Sequence, residues 1–147
     1  MADPYECLRL ENQFCFPLYV CAKEFVRRYR PYLDDLGLTY TQYLAMMVMW
    51  GRGRISVKDI GMLLHLDSGT LTPLLRKLEE KGYVRRFRDS FDERSVIVEI
   101  TPEGEALKDK AKDIPSDAGS FVQISPEDAQ VLYGILSRLM MTFGPIS

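Results

Sequence analysis

Leu71, Leu74, Leu75 and Leu78 recur at the i, i+3, i+4, i+7 spacing of a helix with one apolar face. Asp67 or Ser68 can cap its start, and Pro73 falls within the first turn and a half, where proline is least costly. Lys81 then Gly82 closes it in the usual order of cation and glycine. A shorter helix precedes it. Ser56-Val57-Lys58-Asp59 places an N-cap with an acid three residues on, and the helix runs to about Leu64. His65-Leu66-Asp67 is the turn between the two. After Gly82 the period changes from helical to alternating. Residues 83–87 and 95–100 predict two strands joined by a polar turn. Thr101-Pro102-Glu103 starts another helix, to about Lys112, and residues 113–124 are loosely patterned. Ser125-Pro126-Glu127-Asp128 opens a last helix reaching about Met141.

Upstream, residues 5–30 read as one long helix whose apolar positions, Leu10, Phe14, Leu18 and Phe25 among them, cover a wide arc. Pro17 predicts a bend inside it, and Pro31 its end. Leu36-Gly37-Leu38 is a connector, and Thr39 can cap a second helix to about Trp50, closed by Gly51-Arg52-Gly53. A helix apolar over so wide an arc needs more than one neighbour, which favours a homodimer.

The 147 residues suit one domain, and 46% apolar with 27% charged residues is the balance of a folded chain. The longest apolar run, residues 43–50, is far short of the roughly 20 that span a membrane. The acidic N-terminus lacks a signal pattern, so a cytoplasmic protein without membrane contact is expected. Cys7, Cys15 and Cys21 match neither a disulfide framework nor a zinc spacing, and His65 stands alone. No metal or cofactor is expected, and the absence of a hydrolase elbow or P-loop argues against an enzyme.

Net charge is −2, but it is unevenly spread. Arg76, Lys77, Lys81, Arg85, Arg86 and Arg88 face only Glu79 and Glu80 over residues 76–88. Two short helices, a three-residue turn and a basic hairpin make the order of a winged helix-turn-helix. The fold class is therefore mainly α with a small β-hairpin wing. We expect a single domain over 1–147, with residues 39–100 binding DNA and residues 5–37 and 102–147 forming a helical dimerisation region. The amides and short side chains of Ser68, Gly69 and Thr70 suit phosphates and base edges, and Arg88 and Arg94 extend toward the backbone or minor groove.

Leu71-Thr72-Pro73-Leu74-Leu75, Leu78-Glu79-Glu80-Lys81-Gly82-Tyr83-Val84 and Asp92-Glu93-Arg94-Ser95 resemble the MarR-type winged-helix repressors. Asn12-Gln13-Phe14-Cys15, Tyr40-x-Gln42-Tyr43-Leu44 and Leu66-Asp67-Ser68-Gly69-Thr70-Leu71-Thr72-Pro73 are similar to the organic-hydroperoxide-sensing (OhrR) branch. The resemblance covers nearly the whole chain and is weakest from Ser116 onward. It implies that Cys15 is the peroxidatic thiol. It implies that Tyr29 and Tyr40 are phenols that hydrogen-bond that sulfur across the dimer, and that Tyr19 is a third that rearranges on oxidation. Asp67, Ser68 and Thr70 then correspond to the start of the recognition helix; the charge run adds Arg76, Lys77, Arg86 and Arg88, with Gly69, to the expected DNA-binding set. Asp92 and Arg94 form the wing pair. The implied partners are double-stranded operator DNA, a second copy of the chain, an organic hydroperoxide as effector and a small thiol.

A peroxide is attacked by thiolate, and phenol hydrogen bonds favour that form. Apolar Phe14, Phe16 and Leu18 favour an alkyl peroxide over hydrogen peroxide. The second cysteine that some relatives carry near the last helix is absent here, where Ser125, Pro126 and Glu127 stand. That implies a one-cysteine route to a mixed disulfide, a cyclic sulfenamide or an over-oxidised acid. Two alternatives stand beside this reading. One is a MarR-type regulator of a small anionic ligand with Cys15 a bystander. The other is a thiol peroxidase that turns over.

Overall fold

The computed structural model describes residues 1–144. They divide after Tyr40 into two compact units.

The first unit opens with two 3-10 turns, Glu6–Leu8 and Leu10–Asn12. Side-chain amides hold them: Asn12 Nδ2 donates to the Glu6 carbonyl at 2.9 Å, and Gln13 Nε2 reaches the carbonyls of Cys7 and Arg9. Helix α1 spans Cys15–Asp34. The expected helix over residues 5–30 is thus corrected at both ends. Leu8, Leu10 and Phe14 are apolar but exposed, so their pattern records no helical face within this chain. Pro17 is the third helical residue, not a kink site. Its missing N–H would have been one of the four unpaired donors of a helix start. Pro31 does not end the helix either, which continues one further turn to Asp34. The chain then turns at Gly37 (φ 68°), and the amides of Leu36 and Leu38 both donate to the Leu33 carbonyl. Leu33, Leu36 and Leu38 are buried.

The second unit takes in the rest of α2 (Tyr40–Arg52), followed by β1 (Arg54–Ser56), α3 (Val57–Leu64) and α4 (Ser68–Glu80). The wing strands β2 (Val84–Arg88) and β3 (Val96–Ile100) follow, then α5 (Pro102–Ala111), α6 (Ile114–Gly119) and α7 (Pro126–Phe143). The sheet order is β1-β3-β2, all antiparallel, with Arg54 opposite Glu99 and Arg86 opposite Val98. Strand β1 and helix α6 were not expected. Each is too short, at three and six residues, to show a period.

The core of this unit is the leucine face of α4 with Met46, Met49, Ile60, Val84 and Val98, all essentially inaccessible. Helix α4 packs against α3 and β2. Ser56 Oγ accepts the Asp59 amide at 3.1 Å, and Thr101 Oγ1 accepts that of Gly104 at 3.1 Å, as the capping pattern predicts. Trp50 Nε1 donates to the Gly104 carbonyl at 2.9 Å. Among the described residues no helix is long and apolar enough to cross a membrane.

Gly104 is buried, and a Cβ there would overlap the Tyr83 carbonyl and press on Ile100. Gly104→Ala should therefore cost about 2 kcal/mol and lower the thermal midpoint by roughly 4–8 °C, read by circular dichroism.

Candidate nucleic-acid interface and sensing thiol

The turn between α3 and α4 is fixed by backbone geometry. His65 ends α3 in the left-handed region (φ 54°), and the Leu66 amide returns to the Gly61 carbonyl at 3.0 Å. A Cβ on Gly61 would lie 2.9 Å from the Leu66 carbonyl oxygen, so the close approach of turn and helix requires glycine. Of the two expected caps, Asp67 is the one used: its Oδ1 accepts the Thr70 amide at 2.7 Å. That backbone hydrogen bond, then one from the Thr70 hydroxyl, hold the Asp67 carboxyl below the usual carboxylate range.

With Leu71, Leu74, Leu75 and Leu78 turned inward, Ser68, Gly69, Thr70, Arg76 and Lys77 are left exposed. The helix start thus presents its unpaired amides and small side chains to solvent, with two cations one to two turns further on.

The wing carries its own bracing. Asp92 Oδ1 accepts both the amide (3.1 Å) and Nε (3.3 Å) of Arg94. Arg88 Nη1 donates to the Glu93 carbonyl at 3.0 Å, and the Ser95 carbonyl accepts the Asp89 amide at 2.9 Å. Arg94 is 93% exposed despite its partner, so its guanidinium is aimed by Asp92 and remains available. The three arginines of β2 part company. Arg85 pairs with Glu99, which also holds Arg54, and both guanidiniums lie about 5 Å from the Phe87 ring. Strand alternation turns Arg86 to the opposite face, where it pairs with Glu79 at 3.1 Å. Arg86 was expected among DNA ligands; in the chain alone its guanidinium pairs with Glu79. Glu79 was missed, because an ion pair between a helix end and the next strand leaves no periodic signal. Between α3, the start of α4 and the wing runs an open cleft of about 1050 Å³, which Lys58, Asp67, Thr72 and Arg94 help to line.

In the first unit Cys15 is exposed at the first position of α1. Cys7 and Cys21 are also exposed and unbridged. Tyr29 and Tyr40 meet edge to face with ring centroids 5.3 Å apart. Burial, then the neighbouring Tyr29, raises the Tyr40 phenol above its usual range. Tyr19 is exposed with the Lys23 ammonium over its ring. The structure therefore brings two of the three expected phenols together. No group of three His, Cys, Asp or Glu among the described residues could hold a metal ion.

Residues 26–111 match a family model described as transcriptional regulator SarA/Rot. Over 142 residues the chain is 42% identical to the organic hydroperoxide resistance transcriptional regulator of Bacillus subtilis (strain 168), covering 97% of each. The chain belongs to the MarR-type winged-helix regulators, in their organic-hydroperoxide branch. Solved structures agree with that placement. A structure of reduced AbfR bound to DNA superposes with a TM-score of 0.79 at 29% identity, over 96% of this chain and 99% of that one. Disulfide-formed AbfR gives 0.64 at 33% identity, over 92% and 95%. AbfR comes from Staphylococcus epidermidis.

For this regulator the cap at Asp67 sets the start of the outward-facing helix. Its carboxyl titrates below its unfolded value, so the cap's contribution is present above the usual carboxylate range and is lost only as pH falls below that range, through the lowered folded value. Asp67→Ala should speed exchange of the Thr70 amide at neutral pH. Asp67→Asn should keep the protection and remove its loss in acid, read by hydrogen exchange across pH 3–7.

Proposed function

We propose that the reduced homodimer binds double-stranded operator DNA and represses transcription until an organic hydroperoxide oxidises Cys15. One α4 enters the major groove of each half-site, the two grooves lying about 34 Å apart. Ser68, Gly69, Thr70, Arg76 and Lys77 meet phosphates and base edges, Arg88 steadies the wing, and Arg94, aimed by Asp92, enters the neighbouring minor groove. The observation that carries this reading is the pairing, in one chain, of an outward-facing capped helix and wing with an exposed Cys15 at a helix start. The match to a hydroperoxide regulator spans both parts of the chain.

Two features support the dimer. The front of α1 exposes Phe16, Leu18, Tyr19, Phe25 and Val26. Helix α7 buries none of its residues and exposes Val131, Leu132, Tyr133 and Phe143. Apolar faces of this extent call for a partner, and a second copy supplies the same surfaces by symmetry.

The Cys15 thiolate attacks the peroxide, the O–O bond breaks, and sulfenic acid and alcohol form once the leaving alkoxide takes a proton. A small thiol then displaces hydroxide from sulfur, giving a mixed disulfide and water. The adduct is bulkier and ends the hydrogen bonding of Tyr29 and Tyr40 of the partner subunit to sulfur, and Tyr19 rearranges. Tenfold weaker DNA binding requires only about 1.4 kcal/mol. Disulfide-formed AbfR superposes less well than reduced AbfR on DNA, while over-oxidised AbfR on DNA superposes equally well at 0.79, which supports a change of shape on disulfide formation and favours the mixed disulfide as the releasing adduct. Sensing is stoichiometric and needs no catalytic turnover, and it takes place in the cytoplasm.

Fluorescence anisotropy on DNA from upstream of the protein's own gene tests the reading. Wild type should release the DNA after one equivalent of an organic hydroperoxide and a small thiol, while Cys15→Ser holds it. Release of both would make Cys15 a bystander and favour a ligand-sensing regulator. In the same assay Arg94→Ala should weaken binding about tenfold and reduce the salt slope by about one, since one phosphate or groove cation is lost.

A further inference from the structure

We propose that Glu79 is a positioning residue that fixes the wing to the recognition helix through Arg86, and that Arg86 is part of this strut instead of a DNA ligand. The proposal rests on the DNA-binding reading above. Glu79 lies in the last turn of α4. Its Oε2 accepts the Arg86 amide at 2.8 Å, and its Oε1 accepts Arg86 Nε at 3.2 Å and Nη2 at 3.1 Å. Both carboxylate oxygens are thus used, one on the backbone of β2 and one on the fork of its side chain.

Three features make this more than a surface ion pair. First, β2 is an edge strand, and Glu79 covers one of its outward amides. Second, a carboxylate in the last turn of a helix opposes the macrodipole, so the position runs against local preference unless a partner offsets it. The amide and guanidinium of Arg86 do so, and they hold the Glu79 carboxyl below the usual range. Third, the covalent link from α4 to β2 passes through Gly82 at φ 81°, and the burial of Leu78 and Val84 that accompanies it is non-directional. The Tyr83 amide fixes the start of the link by donating to the Leu78 carbonyl at 3.0 Å, and the Glu79–Arg86 contact adds direction further along β2, and with it the angle between the helix in one groove and the wing tip in the next.

The two roles for Arg86 give opposite signs. If Arg86 were a phosphate ligand, Glu79 would compete for it, and removing the negative charge would tighten binding and steepen the salt slope. If the pair is a strut, Glu79→Gln weakens operator binding about tenfold and leaves the slope unchanged, because no phosphate contact is lost. Arg86→Lys keeps the charge and loses the fork, so it should weaken binding to a similar extent. Hydrogen exchange of β2 in DNA-free protein supplies a readout independent of DNA, and serves if either variant folds poorly. Faster exchange in β2 with an unchanged α2 and α5 is expected for Glu79→Gln. Equal or tighter binding with a steeper slope, or unchanged exchange in β2, overturns the proposal. Failure of wild type to bind DNA would overturn the functional reading instead, and the exchange measurement would still decide the strut.

Discussion

A helix and a hairpin can read neighbouring grooves only if the distance between them is fixed, and the buried leucine face of α4 is what the rest of that arrangement stands on. Leu71, Leu75 and Leu78 are essentially inaccessible, together with Val84 and Val98 of the sheet. Burying side chains of this size stabilises by roughly 1.5–3 kcal/mol each, as an upper estimate. That burial decides which face of α4 turns inward, and so leaves Ser68, Gly69, Thr70, Arg76 and Lys77 outside. Polar contacts add the angles that apolar packing does not set. Asp67 fixes where the helix begins, Thr101 and Trp50 tie α5 to the residues around it, and Asp92 aims Arg94.

The helix-turn-helix and the wing were legible in the sequence for the same reason. Their leucine spacing, caps and alternating strands are local signals, and tertiary structure agrees with them. Ser56, Asp67, Thr101 and Ser125 all cap as their positions suggest. The N-terminal segment was misread because Leu8, Leu10 and Phe14 are apolar without being buried in their own chain. Helical periodicity then merges with 3-10 turns, and Pro17 looks like a kink when it marks a start. Strand β1 was invisible because its three residues pair with β3, some 40 positions away. The division of labour among Arg85, Arg86 and Arg88 was also hidden. A run of cations says nothing of which ones meet an acid across the fold.

The sensing half depends on a different constraint. Cys15 stands exposed at a helix start, beside apolar side chains that find no cover within their own chain. In the homodimer proposed for this regulator, those faces meet and the thiol lies where a small chemical change falls on an interface. Packed interfaces are bistable, so an adduct as bulky as a mixed disulfide can shift them by the ~1–2 kcal/mol that separates tight from weak operator binding. With no cysteine beyond Cys21, the disulfide route of relatives that carry a second cysteine near the last helix is closed to this chain.

If Cys15 is the switch, its oxidation and the loss of DNA are one event. The most direct test follows both in the same samples along a titration with an organic hydroperoxide and a small thiol. Peptide mass spectrometry gives the oxidised fraction at Cys15, and anisotropy gives the fraction of DNA released. The two curves should coincide, with Cys7 and Cys21 unmodified over the same range. Release that is complete while Cys15 remains a thiol would contradict Cys15 as the switch.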